Sequence, residues 1–134
     1  MPTSAHGHCL CGAVRFTAQL PSLWMAHCHC GRCQRAHGTA FVTWVGFETT
    51  QVQIDDAQRA LRWFDHPTMS NSQRGFCSHC GSPMFFRSER YEGELHIARA
   101  LFTTALDRVP ESHVYYDSHV DWVNVDSHLP IEPD

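Results

Sequence analysis

A mostly β domain with very little helix is what the 134-residue sequence predicts, and three observations predict it. Short runs rich in β-branched and aromatic residues recur along the chain, separated by stretches rich in turn-forming residues. Helical patterning is confined to about one turn, Gln34 to His37, stopped by Gly38. No low-complexity linker or fixed-period repeat divides the chain, so residues 1–134 are expected to make a single domain with a modest core.

Taken in order, Gly12 to Gln19 alternates, which predicts a strand with Val14 and Phe16 facing inward. Leu23 to Cys28 leads into a cysteine-rich loop, and after the short helical turn Thr39 to Phe47 reads as a β-branched and aromatic strand. Further strands are expected near Gln51 to Ile54, Leu61 to Phe64, Met84 to Arg87, Leu95 to Ala98 and Val114 to Tyr116, with a turn-rich stretch from His66 to Asn71.

Composition excludes several functions. Ten basic and fourteen acidic residues leave a formal charge of -4, with no basic stripe to neutralise phosphates, so nucleic acid is not an expected partner. No apolar run reaches the roughly 18 residues of a membrane span, and the first residues lack the basic-then-apolar pattern of a secretory signal. A cytoplasmic protein is expected. Every basic residue is arginine, which excludes a lysine Schiff base and the lysine-dependent P-loop.

The seven cysteines fall into three groups: Cys9 and Cys11; Cys28, Cys30 and Cys33; Cys77 and Cys80. Disulfides explain them poorly, because the number is odd and the expected compartment is reducing. Zinc explains them better, since structural sites take four protein ligands and catalytic sites three plus an exchangeable position. Cys77-Ser-His-Cys80-Gly81 is a zinc-knuckle turn that needs a second pair, which Cys9-Leu-Cys11-Gly12 can supply. Cys28-His29-Cys30-Gly-Arg32-Cys33 is then a self-contained cup of three thiolates with one open position. Other assignments stay open at this point: His27, His29, His37 or His79 could close the second site, an iron-sulfur cluster could take its place, or the cup thiols could sense redox state.

Zinc pinning the first strand to the Cys77/Cys80 turn would add folding free energy to a small core, so metal removal is expected to unfold the chain. Metal-bound thiolates carry the formal charge from -4 to about -7, which gives nearby cations work to do. Arg32 and Arg35 flank the cup and Arg74 precedes the other knuckle, and each can grip a carboxylate through two hydrogen bonds. His29, between two ligands, and Arg32 are the candidate catalytic groups. Arg35, Trp44 and Arg74 are the candidate substrate-binding residues, with Trp44 and Phe47 on the strand that follows the cup. Three thiolates leave a zinc site at -1, which acidifies bound water weakly, disfavours hydrolysis and suits addition of a thiol to a carbonyl.

Three segments carry a family resemblance: Gly7-His-Cys9-Leu-Cys11-Gly12-Ala-Val14-Arg-Phe16, Cys28-His29-Cys30-Gly-Arg32-Cys33-Gln34 and Arg74-Gly-Phe76-Cys77-Ser-His-Cys80-Gly81-Ser82. With the tail Pro110-Glu-Ser-His113-Val114-Tyr115, Trp122 and Leu129-Pro130, they resemble the glutathione-dependent formaldehyde-activating enzyme family, which also includes centromere protein V. The resemblance implies several coiled antiparallel β-sheets, with a structural zinc on Cys9, Cys11, Cys77 and Cys80 and a catalytic zinc on Cys28, Cys30 and Cys33. It also implies two zinc ions per chain and carbon-sulfur lyase-like chemistry, resembling S-(hydroxymethyl)glutathione synthase. The expected partner is a small-molecule thiol or thiol-aldehyde adduct, glutathione among them; a non-catalytic zinc-stabilised binding module is the alternative.

Overall fold

In the computed structural model residues 2–69, 71–125 and 128–134 are described, and among them lie ten strands and one α-helix. Strand β1 (Ser4–His8) pairs antiparallel with β2 (Arg15–Gln19), Gly7 opposite Phe16, and β2 pairs in turn with β5 (Val52–Asp55) to complete a three-stranded sheet. The other strands are β3 (Trp24–Cys28), β4 (Val42–Glu48), β6 (Leu61–Asp65), β7 (Ser72–Cys77), β8 (Pro83–Ser88), β9 (Glu94–Ala98) and β10 (Ser112–Val114). They form a seven-stranded sheet in the order β10-β3-β4-β9-β8-β7-β6. Helix α1 (Gly31–His37) follows β3 at once. Among the described residues no helix is long and apolar enough to cross a membrane.

The mostly β fold class holds, with one correction to the antiparallel expectation: β10 runs parallel to β3, with Ser112 opposite Ala26 and Val114 opposite Cys28. Because β3, β4 and β9 alternate in direction, β9 already runs parallel to β3. The connection over residues 99–111 is long enough to carry the chain back over the sheet before β10 begins, as a parallel pair requires.

Strand alternation divides the large sheet into two faces. On one face Met25, Val45, Phe47, Phe85, Leu95 and Ile97 bury their side chains against Phe16 and its small-sheet neighbours. Phe16 anchors the contact, meeting the rings of Phe102 and Phe85 edge-on at 4.9 and 5.7 Å. The expected inward positions of Val14 and Phe16 are both buried. On the opposite face Trp24, Ala26 and Cys28 of β3 stand in register with Gly46, Trp44 and Val42 of β4. Gly46 is needed there: an added Cβ would collide with the Trp24 indole. The indole crosses β4 and donates its Nε1–H to Glu94 Oε1 at 3.2 Å.

Candidate metal centres

Two groups of cysteines are brought together, Cys9, Cys11, Cys77 and Cys80 in one and Cys28, Cys30 and Cys33 in the other, with the sulfurs of each group within 4.8 Å of one another. All seven cysteines are free of disulfides. In the first group, the β1–β2 loop supplies one pair and the end of β7 and its turn the other. Each pair is followed by a glycine in the left-handed region, Gly12 at φ 82° and Gly81 at φ 80°, where a side chain would strain the backbone. The turns close through Gly12 N–H to Cys9 O at 3.1 Å and Gly81 N–H to Cys77 O at 2.7 Å. Val14 N–H donates to Cys9 Sγ at 3.4 Å, and Leu10 N–H binds Ser82 Oγ, itself 3.1 Å from Cys80 Sγ.

The second group is local. Cys28 ends β3, Cys30 caps the N-terminus of α1 and Cys33 lies within that helix. The Cys30 sulfur accepts from Cys33 N–H at 3.3 Å, so the residue that starts the helix also turns its sulfur toward the other two. This cap explains why α1 begins at Gly31, three residues before the helical turn expected from the sequence. Two side chains donate to Cys33 Sγ: Trp44 Nε1 at 3.4 Å and Arg74 Nη2 at 3.6 Å.

Both groups fit zinc. Thiolates about 2.3 Å from a tetrahedral ion stand about 3.8 Å from one another. The sulfurs of Cys9 and Cys11 are 3.7 Å apart, those of Cys11 and Cys77 3.8 Å, and those of Cys28 and Cys33 3.6 Å. Hydrogen bonds from Cys28 and Cys33 push the Cys30 thiol well down, whereas its hydrogen bonds to Cys30 and Cys33, reinforced by burial, push the Cys28 thiol far up. One sulfur ionises at its neighbours' expense, a conflict that a central cation relieves. Among the described residues no His, Asp or Glu joins either group.

Among the described residues, the second group lines a cavity. Cys28, Cys30 and Cys33 line a space of about 620 Å³ over the outer face of the seven-stranded sheet, and none of the four other cysteines lines it. Arg32, Trp44 and Arg74 line it too, together with Tyr115 of the tail motif and with Arg90 and Tyr91, for which the sequence offered no pattern. Arg35 is absent from its wall; it lines a groove of about 480 Å³ shared with Arg32, His37 and Arg74. Phe47 is buried in the core behind the sheet. His29 is also away from the cavity, 1% exposed on the far side of the cup, with Nε2 2.9 Å from His113 Nδ1 and Tyr116 and Phe41 against its ring. Burial and the neighbouring histidines lower its pKa to about 4. A Tyr within a quoted motif, Tyr115 after His113-Val114, was the one available signal for the missed wall.

The profile described as glutathione-dependent formaldehyde-activating enzyme matches residues 4–118. A protein of Halomonas elongata, provisionally named as a glutathione-dependent formaldehyde-activating enzyme, is 28% identical over 127 residues, covering 90% of this chain and 80% of its own length. The crystal structure of a Rhodobacter sphaeroides protein, a structural-genomics target, shares the fold, with a TM-score of 0.63 over 78% of this chain and 97% of that one at 20% identity. Extending as it does from the first strand through the cavity wall, the profile match shows that the chain belongs to the glutathione-dependent formaldehyde-activating enzyme family.

Proposed function

We propose that the chain is a zinc-dependent, carbon-sulfur lyase-like enzyme that makes or breaks the bond between a thiol sulfur and the carbonyl carbon of a small aldehyde, as in S-(hydroxymethyl)glutathione. The observation that carries this reading is the position of Cys28, Cys30 and Cys33 in the wall of the large cavity with no fourth protein ligand among the described residues. We assign Cys9, Cys11, Cys77 and Cys80 to a structural zinc and the cavity group to a catalytic one, two ions per chain. Zinc bound to the cup supplies a soft Lewis-acid position suited to a thiolate or an aldehyde oxygen.

The chain's own residues then have distinct tasks. Trp44 and Arg74 hold the Cys33 sulfur by hydrogen bonds and keep the cup in one geometry. Arg32, Arg74 and Arg90 line the cavity, and no carboxylate forms an ion pair with them among the described residues, so they remain available to a substrate carboxylate. The apolar walls, Trp44 and Phe86 among them, exclude water from the adduct. Arg35, outside the cavity, is a weaker substrate contact than Arg32, and His29 supports the loop, its carbonyl accepting from Gln34 Nε2 at 2.8 Å. Seven free thiols suit a reducing compartment such as the cytoplasm.

The partner expected is a small thiol or its aldehyde adduct, with glutathione the first to test. Exchange between free formaldehyde and its glutathione adduct, followed by magnetisation-transfer NMR, should be faster with zinc-loaded protein than in buffer. The same acceleration should vanish in the Cys30→Ser protein. Equal rates in protein and buffer across thiols and small aldehydes would defeat the reading and leave a zinc-stabilised binding module.

A further inference from the structure

Two phenols stand over the cavity beside the three-cysteine cup. Tyr91, in the short helical turn after β8, and Tyr115, directly after β10, both line it, and their hydroxyl oxygens are 3.3 Å apart. Tyr115 packs against the cluster that contains Cys28, Cys30 and Cys33. The Arg90 guanidinium lies 5.7 Å from the ring centroid of Tyr91 and 5.6 Å from that of Tyr115. Tyr115 reaches the cavity through left-handed backbone, φ 53° and ψ 40°, which L residues other than glycine seldom adopt. That turn sends consecutive tyrosines to opposite sides, Tyr115 to the cavity and Tyr116 to the rings of His29, His113 and His119.

A phenol pair carries two hydroxyl protons, and the bond between the two oxygens uses one of them. No further hydrogen bond ties either hydroxyl to a described residue. Either oxygen can donate in that bond; Tyr115 is the one packed against the cup cluster, so in the arrangement that serves the cavity Tyr91 donates toward it. The Tyr115 O–H is left for a ligand in the cavity. Donation into its oxygen polarises that outgoing O–H, and the adjacent guanidinium strengthens it in the same sense.

We propose that Tyr115 donates a hydrogen bond to the reacting oxygen of the substrate, with Tyr91 as the positioning residue behind it. This inference rests on the carbon-sulfur reading above. In the direction of adduct formation, a sulfur lone pair forms the C–S bond while the carbonyl π pair moves onto oxygen. Tyr115 donates to that developing alkoxide, which finishes by taking one proton, equal to the one the thiol has lost. In reverse, the hydroxyl loses its proton, the carbonyl reforms and the C–S pair returns to sulfur. No oxidant or reductant enters in either direction. A substrate fits this site when the carbon bearing sulfur also bears oxygen.

The test uses zinc-loaded full-length protein and the formaldehyde-glutathione exchange. Tyr115→Phe should lower the maximal rate by about 100- to 1000-fold, as loss of one preorganised donor to an oxyanion does, with zinc content and melting unchanged. The thiol KM should stay within about twofold, because the donor acts on charge that develops after binding. Tyr91→Phe should cause a smaller loss of the same kind. An active wild type with a Tyr115→Phe rate within about threefold of it overturns this inference and leaves the functional reading standing. A wild type no faster than buffer overturns both. If Tyr115→Phe loses zinc or unfolds, Tyr91→Phe decides, and a maximal rate and thiol KM both equal to the wild type overturn the proposal.

Discussion

Two thiolate clusters of the same chemistry sit at opposite extremes of chain separation. Cys9, in the loop after β1 of the small sheet, and Cys77, at the end of β7 in the large one, are brought together from distant segments, whereas Cys28, Cys30 and Cys33 span a single strand end and the first turn of α1. The first closes on itself with four sulfurs and lines no part of the large cavity; the second offers three and forms that cavity's wall. On the proposed function, the difference teaches that ligand separation divides the labour. A metal held between distant segments acts as a cross-link, because the unfolded chain cannot preform the site. One held within six residues of backbone crosses nothing and leaves a face free for a substrate.

The comparison breaks first at Cys77. With zinc in the proposed places, Cys77→Ser should abolish cooperative melting. A structural zinc contributes on the order of 10 kcal/mol, against a total stability of about 5–15 kcal/mol for a small domain. Cys30→Ser should keep the circular dichroism of the native protein, melt cooperatively and lose one equivalent of metal. Calorimetry with metal analysis of both proteins checks the pair; similar melting curves would erase the contrast.

A smaller effect sharpens the cup itself. Trp44→Phe removes the indole N–H from Cys33 Sγ while keeping an aromatic ring in the wall. Zinc affinity at the cup should fall about 10- to 100-fold, read by competition with a chelator, with the four-cysteine site unaffected. An unchanged affinity would mean that the indole only fills space.

The smallest expected effect is on acid stability. Burial, with a further contribution from the charge of Arg74, holds His37 down at about 4 from its usual 6.5. The unfolded chain therefore binds the proton first, so this contribution is complete above pH 6.5 and is lost as pH falls through about 4. Urea midpoints measured across that window should decline less steeply in His37→Asn than in the wild type. Parallel declines would remove His37 from the account.

Much of the strand pattern was legible because β4 and β5 carry β-branched residues, β8 two phenylalanines and β9 Leu95 and Ile97 two positions apart. Three strands were not, β3 among them, since Leu23 to Cys28 was expected only as a lead into the cysteine-rich loop. β1 reads Ser-Ala-His-Gly-His and β7 reads Ser-Gln-Arg-Gly-Phe-Cys, and neither shows β propensity. β7 forms because β6 and β8 pair with it on both sides, and β1 because β2 offers it a full register. The last strand was expected at Val114 to Tyr116 and lies at Ser112–Val114, since Tyr115 leaves the sheet in left-handed backbone.

By itself, then, the sequence determined the partition of the cysteines, since Cys-x-x-Cys and Cys-x-Cys-x-x-Cys spacings together with Cys-Gly turns are local properties of the chain. It likewise determined the mostly β class, which follows from residue period. Tertiary structure decided which candidates line the cavity. His29 and Arg32 are three residues apart, yet the loop into α1 sends one behind the sheet and the other into the cavity. Tyr91 and Tyr115, 24 residues apart, converge because β10 returns beside β3. Facing depends on how distant strands register and turn, and no local spacing carries that information.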